Sequence, residues 1–136
     1  MNLTKTTSYS LKILSFLADS HEETSSASHL HDVLNIPYSY LRQLMQMLSE
    51  KGFITGEKGR NGGFKLSRNP GEIFLIEIVE AIEGTESLSR CMMGVADCSM
   101  ETKCALHEPW IKIKNEFLDV LKNTSLRNLN PDNNQI

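Results

Sequence analysis

The sequence has no long apolar run, few glycines and prolines, and little positive charge. No segment approaches the roughly 20 consecutive apolar residues of a membrane-spanning helix, so we expect a soluble chain with no membrane partner. Among 136 residues there are only 8 glycines and 4 prolines, while 40% are hydrophobic, which excludes collagen-like and disordered chains. Lys12 interrupts the apolar residues near the amino end, and no secretory signal follows. We therefore expect a cytoplasmic protein with one main domain.

Positive charge is distributed unevenly along the chain. The formal net charge is −3, which taken alone argues against a nucleic-acid partner. Residues 51–68, however, hold five lysines and arginines against one glutamate, a net of +4. Residues 71–136 hold six basic and eleven acidic residues, a net of −5. We expect the basic segment to contact a polyanion and the acidic half to face away from it.

Hydrophobic periodicity in the first third of the chain predicts three helices. Apolar residues recur at helical spacing over 3–19, 27–34 and 38–51. Ser26 is the predicted N-cap of the second helix, which places Val33 among its inward-facing residues. The third helix is amphipathic and has one apolar face and one polar face, so we expect it to pack on the first two.

After the third helix, the spacing of hydrophobic residues changes from that of a helix to that of a strand. Residues 53–55 and 63–66 alternate in the manner of strands and predict a β-hairpin. Further helices are predicted over 73–83 and 108–122, followed by a polar tail from residue 123 that is expected to be frayed over 130–135. The fold class expected is mostly α with a small β-hairpin.

Three short helices followed by a hairpin is the order of a winged helix-turn-helix DNA-binding domain. In that fold the third helix enters the major groove, and the hairpin, here called the wing (residues 51–68), follows the phosphate backbone. Tyr38 and Tyr40 are equally compatible with packing against the core. The polar face of the third helix and the glycine-rich basic tip of the wing supply the candidate DNA contacts, which are Ser39, Tyr40, Arg42, Gln43, Gln46, Lys58, Arg60 and Asn61.

All three cysteines fall in one short interval. Cys91, Cys98 and Cys104 are spaced C-x6-C-x5-C, and His107 follows as C-x2-H. An odd number of clustered cysteines does not fit a secreted disulfide scaffold. Thiolates with one imidazole are suitable ligands for an iron–sulfur cluster and equally for a structural zinc ion. A metal-free thiol switch and cysteines without a functional role also remain open from the residues alone.

Three segments resemble the Rrf-two family of bacterial transcription regulators. They are Met1-Asn2-Leu3-Thr4, Ser-Tyr-Leu-Arg-Gln-Leu at 39–44 and Lys-Gly-Arg-Asn-Gly-Gly-Phe at 58–64. The resemblance extends to about residue 129 and implies a regulator that is not an enzyme. It implies a homodimer that binds a partly palindromic double-stranded DNA operator, as a repressor. The implied organisation is a winged-helix domain (1–84), a cluster-binding loop (85–107), and a dimerisation helix with a flexible tail (108–136).

The resemblance also bears on the cysteines. Three cysteines in this interval mark the cluster-binding members of the family, which sense redox conditions, iron–sulfur status or nitric oxide. Ser8 stands where some members have an aspartate ligand, so a 2Fe–2S cluster on three cysteines and His107 is favoured over a 4Fe–4S cluster. Zinc remains the alternative, because three cysteines and a histidine also form a structural zinc site. The first cysteine spacing departs from the family's 2Fe–2S members by one additional residue. Arg42 replaces a frequent glutamate, so the operator sequence cannot be transferred.

Overall fold

The structure is a computed structural model that describes residues 4–20, 24–59, 62–84 and 105–129. A short 3-10 turn, Pro70–Glu72, lies between the wing and the fourth helix. The expected architecture, mostly helical with a two-stranded antiparallel hairpin after three helices, is confirmed. The elements are α1 (Lys5–Asp19), α2 (Ala27–Leu34), α3 (Tyr38–Glu50), β1 (Ile54–Glu57), β2 (Gly63–Leu66), α4 (Leu75–Glu83), α5 (His107–Asn123) and α6 (Leu126–Leu129).

Helix α1 lies at the centre of the molecule. It contacts α2, α3, α4, α6 and strand β2. Each fully buried aliphatic side chain around it stabilises the fold by about 1.5–3 kcal/mol relative to exposure. The side chains that are fully buried are Ile13, Leu14, Leu30, Ile36, Leu41, Met45, Leu48, Ile54, Ile73, Ile78, Val79 and Leu126. Because α3 contributes three of them from one face, its opposite face is turned to solvent.

The connections around α3 are set by specific backbone geometry. Ser26 caps α2 as predicted, since its hydroxyl accepts a hydrogen bond from the His29 N–H at 3.1 Å. Helix α3 ends in a Schellman motif, in which the Phe53 N–H donates to the Leu48 carbonyl at 3.0 Å. The turn requires a left-handed residue, and Gly52 supplies it with φ +84°. This glycine therefore fixes where α3 stops and the wing begins.

The prediction that Val33 faces inward was wrong. Its side chain is 50% exposed, whereas Leu30 in the same helix is fully buried. At 100° per residue, Val33 lies about 90° from the centre of the stripe formed by Ala27, Leu30 and Leu34. Helix α2 is only 8 residues long and buries that single stripe.

The chain beyond α5 returns to the main body, and the short helix α6 was not predicted within the polar tail. The residues expected to be frayed, 130–135, lie outside the described residues. The Leu75 N–H donates to the Thr124 carbonyl and the Leu126 N–H to the Ile73 carbonyl, both at 2.9 Å. Leu126 is fully buried, and α6 packs on α1 and on the 3-10 turn. Two leucines three residues apart were enough to dock a segment that is otherwise polar.

A Leu126→Ala variant is expected to lose about 2–5 kcal/mol of unfolding free energy, because it leaves a cavity beside α1. Urea denaturation followed by circular dichroism measures this loss. Asn128→Ala, at an exposed position of the same helix, is the matched control and should change stability by less than about 0.5 kcal/mol. Equal, small effects of both substitutions would show that residues 124–129 are not docked.

Candidate nucleic-acid interface

Helix α3 separates its side chains into a buried face and an exposed face. Leu41, Leu44, Met45 and Leu48 are buried. Ser39, Arg42, Gln43 and Gln46 are exposed on the other side. All four side chains were predicted DNA contacts. They lie on the same exposed face of α3, and none of them is part of the hydrophobic core. Their donors and acceptors are of the kinds that hydrogen-bond to base edges and phosphates.

A groove of about 600 Å³ separates α3 from the wing. Arg42, Gln43 and Gln46 line it on the side of α3, and Gly63 and Phe64 line it on the side of the wing. Gln46 also donates a hydrogen bond to Glu50 at 3.3 Å. The groove therefore places polar α3 side chains next to the backbone of β2.

The wing is attached to the chain segment before α2 by a bridge that the sequence did not indicate. The Phe64 N–H donates to the Ser25 carbonyl at 2.8 Å, and the Ser25 N–H donates to the Phe64 carbonyl at 2.9 Å. A Cβ atom on Gly63 would lie 2.7 Å from the Ser25 carbonyl carbon, so only glycine permits this approach. The hairpin is thereby held at a fixed position relative to the start of α2.

Two of the wing's basic residues make ion pairs within the protein. Lys65 Nζ lies 2.6 Å from Glu57 Oε1, and Arg68 Nη2 lies 2.9 Å from Glu77 Oε1. Partial burial acts to raise the pKa of Glu77, but the Phe74 N–H and the Arg68 guanidinium stabilise the carboxylate more, so this pKa lies below its ordinary value. The pair with Arg68 is therefore ionised at neutral pH. Such exposed pairs stabilise the fold by about 1 kcal/mol at most, but they reduce the charge available to a polyanion.

In the described part of the wing, two basic residues, one near the tip and one at the base, are not in these ion pairs. Lys58 follows β1 directly and is exposed, as is Lys51 at the base of the hairpin. Arg60 and Asn61, both predicted DNA contacts, lie outside the described residues. Lys58 is thus the predicted tip contact that the structure places.

The aromatic residues at the start of α3 have different surroundings. Tyr40 is half-buried, with its hydroxyl 3.0 Å from Thr6 Oγ1 and its ring 5.7 Å from the Tyr9 ring. Tyr38 is 41% exposed, and the Arg42 guanidinium carbon lies 5.9 Å from its ring centroid. Tyr40 therefore occupies a packing position between α3 and α1, and a direct DNA contact for it stays a prediction.

The predicted metal ligands are divided between described and undescribed residues. Cys91, Cys98 and Cys104 lie outside the described residues. His107 is the first residue of α5, and its Nε2 is buried. Within 4–20, 24–59, 62–84 and 105–129, no group of three or more potential metal ligands occurs. In the same residues, no helix is long and apolar enough to cross a membrane.

Comparison with known proteins identifies the family. Residues 3–132 match the family described as "Rrf2: Iron-dependent Transcriptional regulator". The chain belongs to the Rrf2 family of transcriptional regulators. The resemblance found in the sequence is thereby confirmed. Because this family consists of DNA-binding regulators, the chain is not an enzyme.

Individual Rrf2 relatives are similar along most of the chain. The regulator NsrR of Shouchella clausii is 31% identical over 95% of this chain and 88% of its own length. The regulator IscR of Xenorhabdus nematophila is 31% identical over 69% of this chain and 57% of its own length. The solved structure of CymR (YrzC), the global cysteine regulator of B. subtilis, superposes with a TM-score of 0.79 at 26% identity, covering 95% of both chains.

One polar contact of this Rrf2 chain was missed entirely from the sequence. Glu83 Oε1 accepts hydrogen bonds from the Thr4 N–H at 2.7 Å and from Thr7 Oγ1 at 2.8 Å. A signal for it existed, because an acidic residue is unfavourable at the carboxyl end of a helix. An acidic residue at the last position of α4 therefore favours a hydrogen-bond partner in another element of the fold.

Proposed function

We propose that this Rrf2 protein binds an operator in double-stranded DNA, with α3 in the major groove and the wing along the phosphate backbone. The observation that carries the proposal is the exposed polar face of α3, which stands opposite a fully buried face and beside a positively charged hairpin tip. A polar helix face of this kind reads bases when the helix is held rigidly against its domain.

The exposed residues divide into base contacts and backbone contacts. Arg42 has the bidentate donor geometry that pairs with guanine, and Gln43 and Gln46 have the paired donor and acceptor that suit adenine. Ser39, at the start of α3, and Lys58, at the wing tip, are assigned to phosphates, which position the protein without reading sequence. Arg60 and Asn61 are assigned to the wing contact from the sequence.

The proposed functional unit is a homodimer formed through α5. Leu106, Ile113 and Val120 are spaced by seven residues and are 42%, 52% and 58% exposed. This spacing places them in one stripe along the helix, as in the seam of a coiled coil. Exposed apolar residues in one line are typical of a subunit interface. A second copy of the chain covers this stripe in the proposed dimer and brings a second α3 to the operator.

We further propose that an iron–sulfur cluster held by Cys91, Cys98, Cys104 and His107 controls operator affinity, with the 2Fe–2S type favoured. The donor set fits, because thiolates are the soft ligands that hold iron–sulfur clusters and imidazole can replace a thiolate on the iron. His107, with its buried Nε2, begins the helix that carries the apolar stripe. The family description as iron-dependent and the similarity to relatives named NsrR and IscR support the proposal.

The chain's own residues connect such a centre to DNA binding. A bound cluster would supply a redox-active group beside the amino end of α5. Helix α5 packs on α4, and α4 packs on α1, which in turn contacts α3. The position of α5 therefore affects where each subunit of a dimer places α3. Two half-sites about one helical turn apart are read together only when that placement is right.

The DNA-binding proposal is tested by selecting duplexes from a random pool and comparing two substitutions. Arg42→Ala is expected to weaken binding to the selected site by roughly 5- to 150-fold and to relax its sequence preference. Lys58→Ala is expected to weaken specific and non-specific binding alike and to lower the logarithmic salt slope by about one. Fluorescence anisotropy at several salt concentrations measures both effects.

Lys122→Ala, at an exposed position of α5, is the control for removing one positive charge. It should leave the affinity and the salt slope unchanged. A pool that shows no enrichment, or an Arg42→Ala variant that binds the selected site as the parent does, would contradict the assignment of α3 as the reading helix.

A further inference from the structure

The carboxylate of Glu83 joins the end of α4 to the beginning of α1. It accepts the Thr4 N–H and the Thr7 hydroxyl, contacts that span 79 and 76 residues of sequence. Thr4 is the N-cap of α1, and its hydroxyl in turn accepts the Thr7 N–H at 3.3 Å. A carboxylate placed there is favoured by the unpaired N–H groups and the dipole of α1.

The same turn of α1 also holds the recognition helix. Thr6 Oγ1 lies 3.0 Å from the Tyr40 hydroxyl, and the Tyr9 ring meets the Tyr40 ring edge-on at 5.7 Å. Tyr40 is the third residue of α3, next to the exposed positions 39, 42 and 43. The first turns of α1 therefore contact α4 through Glu83 and α3 through Tyr40.

The cost of placing Glu83 at the end of α4 indicates that its contact is specific. An acidic residue at a helix carboxyl end faces the negative end of the helix dipole. Glu80, one turn earlier, is exposed and has no such contact with α1 among the described residues. Charge-assisted hydrogen bonds such as the one from the Thr4 N–H are roughly twice as strong as neutral ones and restrict geometry more closely.

We propose that Glu83 is a positioning residue for operator recognition, which fixes the first turn of α1 so that Tyr40 orients the base-reading face of α3. This inference rests on the proposed DNA-binding function and adds a residue of α4, which lies outside the recognition helix and the wing. Removal of the carboxylate is expected to loosen α1 against α4 and to change the placement of α3 without removing any DNA-contacting group.

The test measures binding of the full-length protein to its selected duplex and to a scrambled duplex. Glu83→Ala is expected to weaken binding to the selected duplex about tenfold, the effect of one charge-assisted hydrogen bond, with little change on the scrambled duplex. Glu83→Gln keeps an acceptor oxygen but loses the charge, so its loss should be about threefold, between the parent and Glu83→Ala. Glu80→Ala removes the same charge from an exposed position of α4 and serves as the control.

Tyr40→Phe gives the second readout, because it removes the hydroxyl contact with Thr6 and keeps the ring contact with Tyr9. If Glu83 and Tyr40 act through the same turn, the double variant is expected to bind less weakly than the product of the two single effects. Where Glu83→Ala does not fold, Thr7→Val removes one of its two hydrogen bonds at nearly constant volume, and we expect the same loss of preference at smaller size.

The outcomes separate this inference from the function on which it rests. A parent protein without any preference for the selected duplex would overturn the proposed function. A parent with that preference and a Glu83→Ala variant equal to Glu80→Ala would overturn the positioning role alone. Equal losses on both duplexes, or fully multiplicative effects with Tyr40→Phe, would also overturn it, since they indicate a general structural effect.

Discussion

A Cys98→Ala variant purified without oxygen is expected to be colourless where the parent protein is brown, and its operator affinity should no longer respond to oxidation. Cys98 is the middle of the three proposed thiolate ligands, so its loss leaves too few donors for a stable cluster. A ligand that controls a second site typically changes affinity by roughly 5- to 150-fold, and we expect a response of this size in the parent. The measurements are visible absorption, iron and sulfide content, and operator titrations before and after air exposure.

Ser99→Ala is the matched control, since it changes the neighbouring side chain and leaves all three thiols in place. His107→Ala tests the fourth ligand and should weaken cluster retention even though the thiols remain. A colourless parent with one zinc ion per chain would replace the cluster by a structural zinc site. A Cys98→Ala variant that keeps both the colour and the oxidation response would contradict the ligand assignment.

An Ile113→Lys variant is expected to be monomeric at micromolar concentration and to bind the operator roughly 10²- to 10⁴-fold more weakly, because a single half-site contact replaces two linked ones. Ile113 is the centre of the exposed stripe on α5, and a lysine there places a charge in the proposed subunit interface. In a monomer the same substitution is at an exposed position and should change stability by less than about 0.5 kcal/mol. Sedimentation velocity and operator titration give the two readouts.

Asn115→Lys introduces the same charge on the opposite face of α5, where the side chain is also exposed. It should leave both the subunit count and the operator affinity unchanged. A parent that sediments as a monomer, or an Ile113→Lys variant that remains dimeric, would show that the stripe on α5 is not the interface.

The main elements of the fold were predictable because their periodicity is strong. The apolar face of α3 predicted the helix to within one residue, and the switch to alternation at residue 53 predicted the hairpin to within two residues. Helix α6 was not predicted because Leu126 and Leu129 lie among polar residues. Only their fit against α1 decides that Leu126 is buried and Leu129 partly buried. The prediction for Val33 was wrong for a similar reason, since an apolar residue at the edge of a stripe is buried only if a neighbouring element covers it.

The candidate site was predictable where it follows from helix geometry and unpredictable where it depends on distant contacts. The exposure of Arg42, Gln43 and Gln46 follows from the amphipathic pattern of α3 alone. The ion pair of Arg68 with Glu77 and the packing of Tyr40 on Tyr9 depend on how separate elements meet. The net charge counted over the wing therefore overstates the positive charge that is free to attract DNA, because Arg68 is paired with a glutamate outside the wing.

The backbone bridge between Phe74 and Ser125 restrains one end of α5, so a displacement of the other end would rotate the helix about the restrained end. Its carboxyl end is pinned to the main body by that bridge, and its amino end is the one that follows the cysteine-bearing sequence. With 17 residues the helix is about 25 Å long. A displacement of about 3 Å at the amino end would turn such a helix by about 7° around the pinned end. In the proposed dimer, such a rotation would change the distance between the two recognition helices.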